Sequence, residues 1–72
     1  MSNPEMHYVS SSNVESVGHD DARDELWMTF LDGSTYVYEG VPRETFDELL
    51  SAPSVGSYLN REIKPNFRFR KL

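Results

Sequence analysis

Residues Glu25–Val41 read ELWMTFLDGSTYVYEGV, two runs rich in aromatic and β-branched residues on either side of Asp32-Gly33. Such runs around an aspartate–glycine step predict an antiparallel hairpin, and side-chain parity sets its register. Leu26, Met28 and Phe30 share one face of the first strand, and Tyr36 and Tyr38 share one face of the second. A two-residue Asp32-Gly33 loop would pair Phe30 with Thr35 and send both tyrosines to the opposite face. A three-residue loop, Leu31-Asp32-Gly33, instead pairs Phe30 with Ser34, Met28 with Tyr36 and Leu26 with Tyr38. It also sets Gly33 where a positive φ is wanted, so the three-residue loop is expected. The other face then carries Trp27, Thr29, Leu31, Val37 and Glu39. That face is too apolar to be simply wet: either the tail covers it or it is a contact surface.

Upstream, Val9–Asp20 reads VSSSNVESVGHD and holds a short strand candidate with Val14 and Val17 and a Gly18 that suits a bulge. Residues 1–8 lack periodicity and contain Pro4, so a flexible N-terminal arm is expected there, with one domain over 9–72. Downstream, Pro42 suits the first position of a helix whose apolar stripe is Phe46, Leu49 and Leu50, with Glu44 at its positive end. Pro53 stops it, and Ser54 caps a second helix with Val55, Leu59 and Ile63 at helical spacing. After Pro65, Phe67-Arg68-Phe69-Arg70 alternates as a final short strand. The order is β-β-β-α-α-β: an α+β fold in which a small antiparallel meander carries two C-terminal helices on one face.

Charge is distributed unevenly. The chain of 72 residues has a net charge of −5, yet residues 1–60 hold two arginines against eleven acids, a net of −9. Residues 61–72 hold Arg61, Lys64, Arg68, Arg70 and Lys71 against Glu62 alone, a net of +4. A basic end of this kind marks either an anionic partner or a last element packed over an acidic body. The scarcity of lysine also fits a surface adapted to high salt.

Other chemistry finds little material. Without cysteine there is neither a disulfide nor a thiolate metal site. The only histidines are His7, in the expected arm, and His19, beside Asp20 at a strand end. Neither sits near a nucleophile and an orienting group in the way covalent catalysis needs. Asp20, Asp21, Asp24 and Glu25 lack the spacing and glycine of a calcium loop. No catalytic residue, metal or cofactor is therefore expected. With neither a signal-like start nor an apolar run long enough to span a bilayer, a soluble cytoplasmic protein is the expectation.

Two non-catalytic functions follow. The first is nucleic-acid binding, to RNA or DNA, by a basic segment interleaved with aromatics: Tyr58, Asn60, Arg61, Lys64, Arg68, Arg70 and Lys71. Cations would meet phosphates and Asn60 a base edge, while the helix start at Ser54–Gly56 offers N–H groups. Tyr58, Phe67 and Phe69 are each expected in the core, so an exposed phenylalanine would favour this function. The second is contact with a protein partner or a second copy through Trp27, Leu31 and Val37.

From roughly Val9 to Phe69 the residues resemble the KTSC domain family, named for the C-terminus of some lysyl-tRNA synthetases. The resemblance rests on VSSSNVESVGHD, Leu26, Phe30 and Phe46, and on the run Gly33, Tyr36, Tyr38, Val41 and Pro42. It continues through Leu49, Ala52, Ser54, Gly56, Tyr58, Asn60, Ile63 and Phe67. His19 stands where the family usually has tyrosine. The family name implies an RNA context, which adds weight to the first function.

Overall fold

The computed structural model describes residues 3–72. Five strands form one antiparallel sheet in sequence order: β1 (Met6–Tyr8), β2 (Val14–Asp20), β3 (Glu25–Phe30), β4 (Thr35–Glu39) and β5 (Phe69–Lys71). Between β4 and β5 run α1 (Arg43–Ser51) and α2 (Val55–Tyr58), the latter continuing through a π-helical turn over Leu59–Ile63. The fold is α+β as expected, with one strand more than the sequence pattern predicts. The extra strand is Met6–Tyr8, which pairs with β2 instead of trailing as an arm. Met1 and Ser2, the start of that expected arm, lie outside the described residues.

The hairpin adopts the three-residue loop. Phe30 N–H donates to the Ser34 carbonyl at 2.8 Å, and Met28 and Leu26 face Tyr36 and Tyr38. Gly33 has φ +93°, a conformation that Asp32 supports by accepting from the Ser34 amide and hydroxyl.

A bulge does occur in β2, but at Glu15 and not at Gly18. The register steps from Val14 opposite Phe30 to Ser16 opposite Thr29, leaving Glu15 unpaired. In a regular strand, residues three apart point to opposite faces. The extra residue turns both Val14 and Val17 inward, and both are fully buried. Gly18 serves a different need, namely the close approach of β1. A Cβ there would stand 2.6 Å from the Glu5 carbonyl oxygen.

The core lies between one sheet face and the helices. Val14, Val17, Leu26, Met28 and Tyr38 from the sheet meet Phe46 and Leu49 of α1 and Val55, Leu59 and Ile63 of the second helix. Leu50, expected in that stripe, is instead exposed, since α1 turns only Phe46 and Leu49 inward. Pro42 sits one position earlier than expected, as an extended N-cap whose carbonyl accepts from Thr45 and Phe46. Ser54 caps α2 through its Oγ, which accepts from Ser57 N–H at 3.2 Å.

The buried imidazole of His19 pins the β2 end to the start of α1. Its Nε2 lies 2.6 Å from the Val41 carbonyl, its Nδ1 lies 2.6 Å from Asp21 Oδ1, and its ring stacks on Phe46. That arrangement is structural. Arg43 extends the network by binding Asp21 and Asp47.

Candidate nucleic-acid interface

The π-helical turn decides where the basic segment goes. Lys64 N–H reaches back five residues to the Leu59 carbonyl at 2.9 Å, and the Asn66 amide closes the turn on the Glu62 carbonyl. The chain then passes Phe67, which packs against the core, and enters β5 along the free edge of β4. Phe69 falls opposite Tyr38, Arg70 opposite Val37 and Lys71 opposite Tyr36. Alternation therefore puts Phe69 and Lys71 on the face that also bears the helices, and Arg70 on the other.

Phe69 does not reach the core. It is 57 % exposed because β5 lies beyond the area that the helices cover. Its ring rests 5.4 Å from that of Tyr36 and 5.6 Å from that of Tyr38, while Phe30 meets Tyr36 edge-on at 5.5 Å. These four rings line an open groove of about 580 Å3, together with Leu31 of the hairpin loop and Lys64 of the π-turn. Lys71 places its Nζ 6.0 Å from the Tyr36 ring centroid. Tyr38 is 2 % exposed, so the aromatic faces open to the groove are those of Phe69, Tyr36 and Phe30, with Lys64 in the lining and Lys71 beside Tyr36.

The expected binding residues separate into distinct environments. Lys64, Arg68 and Lys71 are exposed, and among the described residues no side-chain ion pair holds them. Arg70 is committed elsewhere, bridging Glu25 at 3.2 Å and Glu39 at 3.0 Å. Those two carboxylates face each other directly across β3 and β4, so the guanidinium cancels a cross-strand repulsion. The two carboxylates hold the Arg70 proton more firmly than usual. Arg61 reaches Glu62 at 3.0 Å and also lies over the Tyr58 ring.

Tyr58 is a core residue, as expected, and so cannot stack a base. It is 8 % exposed and its hydroxyl donates to Glu48 at 2.8 Å. Burial first, then the Glu48 hydrogen bond, pushes its pKa up to about 12. Asn60 does not line the aromatic groove but a polar cleft with Ser11 and Ser57, which adjoins the groove through the shared residues Ser12 and Asn13.

Trp27, Leu31 and Val37 do not form one surface. Val37 is fully buried; Trp27 is half-buried, with its indole N–H donating to Glu25 at 3.2 Å; Leu31, 56 % exposed, sits in the loop and lines the aromatic groove. Parity fails for Leu31 because the strand ends at Phe30 and the loop turns its side chain back.

The acids lie mostly at the far end of the sheet. Asp20, Asp21 and Asp24 form the β2–β3 turn, which α1 approaches through Arg43, whereas the groove adjoins the β3–β4 loop. The six residues of β3 separate the two ends by roughly 20 Å, about two Debye lengths at 0.1 M salt. Among the described residues Asp32 is the one acid that lines the groove, and it stands there with Lys64 and near the charge of Lys71, so the net charge of the chain does not by itself set the potential at the groove.

Sequence reasoning missed Phe30, Tyr36 and Phe69 as a joint surface. The available signal was that Phe69 falls on the tyrosine face of β4 in an antiparallel pairing, but strand alternation alone does not show that the helices stop short of it.

The chain is similar to several known proteins. A protein of Tsukamurella paurometabola is 46% identical over 63 residues, covering 88% of this chain and 94% of that one. A lysine–tRNA ligase of Trichormus variabilis is 34% identical over 61 residues, covering 85% of this chain but only 11% of the ligase. The crystal structure of a KTSC domain protein from Yersinia pestis superposes with a TM-score of 0.90 at 35% identity, covering 97% and 99% of the two chains. Residues 10–67 match the KTSC domain, and with these relatives the chain belongs to the KTSC domain family.

Proposed function

We propose that this domain is a non-catalytic binder of single-stranded nucleic acid, most naturally RNA, which it holds in the aromatic groove. The observation that carries the proposal is the exposed Phe69 ring packed on Tyr36, in a groove that Lys64 lines, with Lys71 beside Tyr36. Phe69 keeps more than half of its surface in water, and a base stacked on that exposed part gains about 1–3 kcal/mol. Lys64, Arg68 and Lys71 supply cations for the flanking phosphates. The shared segment with a lysine–tRNA ligase supports an RNA setting, although that relative is matched over a small part of its length.

The test is an amide NMR titration with short single-stranded RNA and matched DNA at about 50 and 200 mM salt. Shifts should cluster on the β3–β4 loop, Lys64 and β5, and weaken at the higher salt. Phe69→Ala should reduce affinity roughly 5- to 150-fold, the stacking energy expressed as a ratio. RNA held better than DNA would point to 2′-hydroxyl contacts. Spectra indifferent to both oligomers, with a mass that rises with concentration, would replace this reading by contact through Trp27.

A further inference from the structure

The polar cleft continues the aromatic groove. It holds about 340 Å3 and lies between the segment before β2, with Ser11, Ser12 and Asn13, and the second helix, with Ser54, Ser57 and Asn60. Ser12 and Asn13 line both cavities. The helix joins them as well: Asn60 lines the cleft, and Lys64, one turn further on, lines the groove. Groove and cleft therefore form one trough.

The walls of the cleft are fixed by their own hydrogen bonds. Ser11 Oγ donates to Asn13 Oδ1 at 3.2 Å and accepts from the amides of Asn13 and Val14. Ser54 Oγ donates to Ser57 Oγ at 3.1 Å while it caps the helix. Gly56 lets the two segments meet, since a Cβ there would stand 3.3 Å from Asn13 Oδ1. Ser12 and Asn60 differ from these neighbours. Both are exposed, and among the described residues neither side chain is hydrogen-bonded within the protein.

Among the described residues no charged side chain and no aromatic ring line the cleft. A phosphate finds no cation there, and a base finds no ring on which to stack. An uncharged group that both donates and accepts does match a free hydroxyl beside a free amide. In RNA the ribose 2′-hydroxyl is such a group, whereas a deoxyribose inside a strand has no hydroxyl at all. Resting on the nucleic-acid reading above, we propose that the cleft is a ribose site. Ser12 and Asn60 bind the 2′-hydroxyl of a strand whose base stacks on Phe69, and so make the domain prefer RNA to DNA.

The test measures binding of UUUUU and of its deoxyuridine counterpart by fluorescence anisotropy at about 50 mM salt. It compares the wild-type chain with the double variant Ser12→Ala, Asn60→Ala. The wild type should bind UUUUU roughly 3- to 10-fold tighter than the deoxyuridine pentamer, the effect of a hydrogen bond expressed as a ratio. The double variant should bind both with the affinity that the wild type has for the deoxyuridine pentamer. Its amide NMR spectrum should remain that of the wild-type fold, because both substituted side chains are exposed. A 2′-O-methyl UUUUU pentamer, which lacks the hydroxyl donor, makes the same comparison without any substitution and should bind the wild type more weakly than UUUUU. Equal wild-type affinity for these pentamers, an RNA preference that survives in the double variant, or a double variant weakened equally toward both sugars would overturn this inference and leave the nucleic-acid reading standing. No binding of any pentamer would overturn both.

Discussion

Replacing Gly18 by alanine probes how β1 is held. Gly18 sits in β2 between Trp27 on one side and Met6 on the other. A Cβ placed there stands 2.6 Å from the Glu5 carbonyl oxygen and 2.7 Å from Met6 Sδ. The thioether can swing away, but the carbonyl belongs to the backbone, so relief requires β1 itself to shift. Forcing a methyl group into such a site costs about 1–3 kcal/mol, and the lower entropy of the unfolded alanine chain offsets about 0.4–1 kcal/mol. Detachment of a three-residue strand, worth a few hydrogen bonds at about 1 kcal/mol each, sets an upper bound of similar size. The expected loss is about 1–2 kcal/mol, which lowers Tm by roughly 5–15 °C in a domain of this length. Urea denaturation followed by Trp27 fluorescence measures the loss, and amide exchange over Met6–Tyr8 shows whether β1 has come away. Gly33→Ala is the control: nothing lies within 4 Å of its added Cβ, so its cost is the strain of φ +93° alone and β1 keeps its protection. A Gly18→Ala protein as stable as wild type, with Met6–Tyr8 still protected, would refute the reasoning.

Three further outcomes follow from the ionisable groups and the groove. Tyr58 titrates near 12 when folded against an ordinary value of 10, so the stability it contributes is complete below pH 10 and lost as pH rises toward 12. Tyr58→Phe should flatten that alkaline decline and cost about 1 kcal/mol at neutral pH through the lost bond to Glu48, read by denaturation at pH 7, 10 and 11.5. The His19 hydrogen bond, and after it Arg43, holds Asp21 below its ordinary 3.8, so its contribution is present above that value and lost as pH falls through the lowered one. Denaturation midpoints from pH 5 to 2.5 should therefore fall less steeply in Asp21→Asn than in wild type. Phe69→Ala should leave Tm within about 4 °C of wild type, since the ring is largely in water, and thermal melts check this directly.

The hairpin was legible because three signals agreed: parity of Leu26, Met28 and Phe30, parity of the tyrosines, and a glycine at the one loop position with positive φ. The helix caps and stops were legible from Pro42, Pro53 and Ser54 for the same reason, each residue having a local backbone preference. The features that escaped depend on packing at a distance. Nothing local in Met6-His7-Tyr8 marks a strand; β1 forms because Gly18 lets it approach, a relation across twelve residues. The Glu15 bulge is written in the three-residue spacing of Val14 and Val17, which is odd for a strand with both residues buried, but a bulge at the glycine competes with it. At the candidate site, the cations were legible by type and their availability was not. Only the cross-strand pairing of Glu25 with Glu39 reveals that Arg70 is occupied, and only the reach of the helices over the sheet reveals that Phe69 is not.

The most direct test of the groove as a nucleic-acid site is the salt dependence of its affinity for one single-stranded RNA pentamer, UUGUU, between about 25 and 200 mM salt. With Lys64, Arg68 and Lys71 as the cations that are free to meet phosphates, log Kobs against log salt should fall with a slope of roughly −2, about −0.7 for each. Lys71→Gln should shallow the slope by about 0.7, whereas Arg70→Gln, which removes a cation already bound to Glu25 and Glu39, should leave it unchanged. A slope near zero, or an Arg70→Gln slope that falls as far as that of Lys71→Gln, would contradict the account.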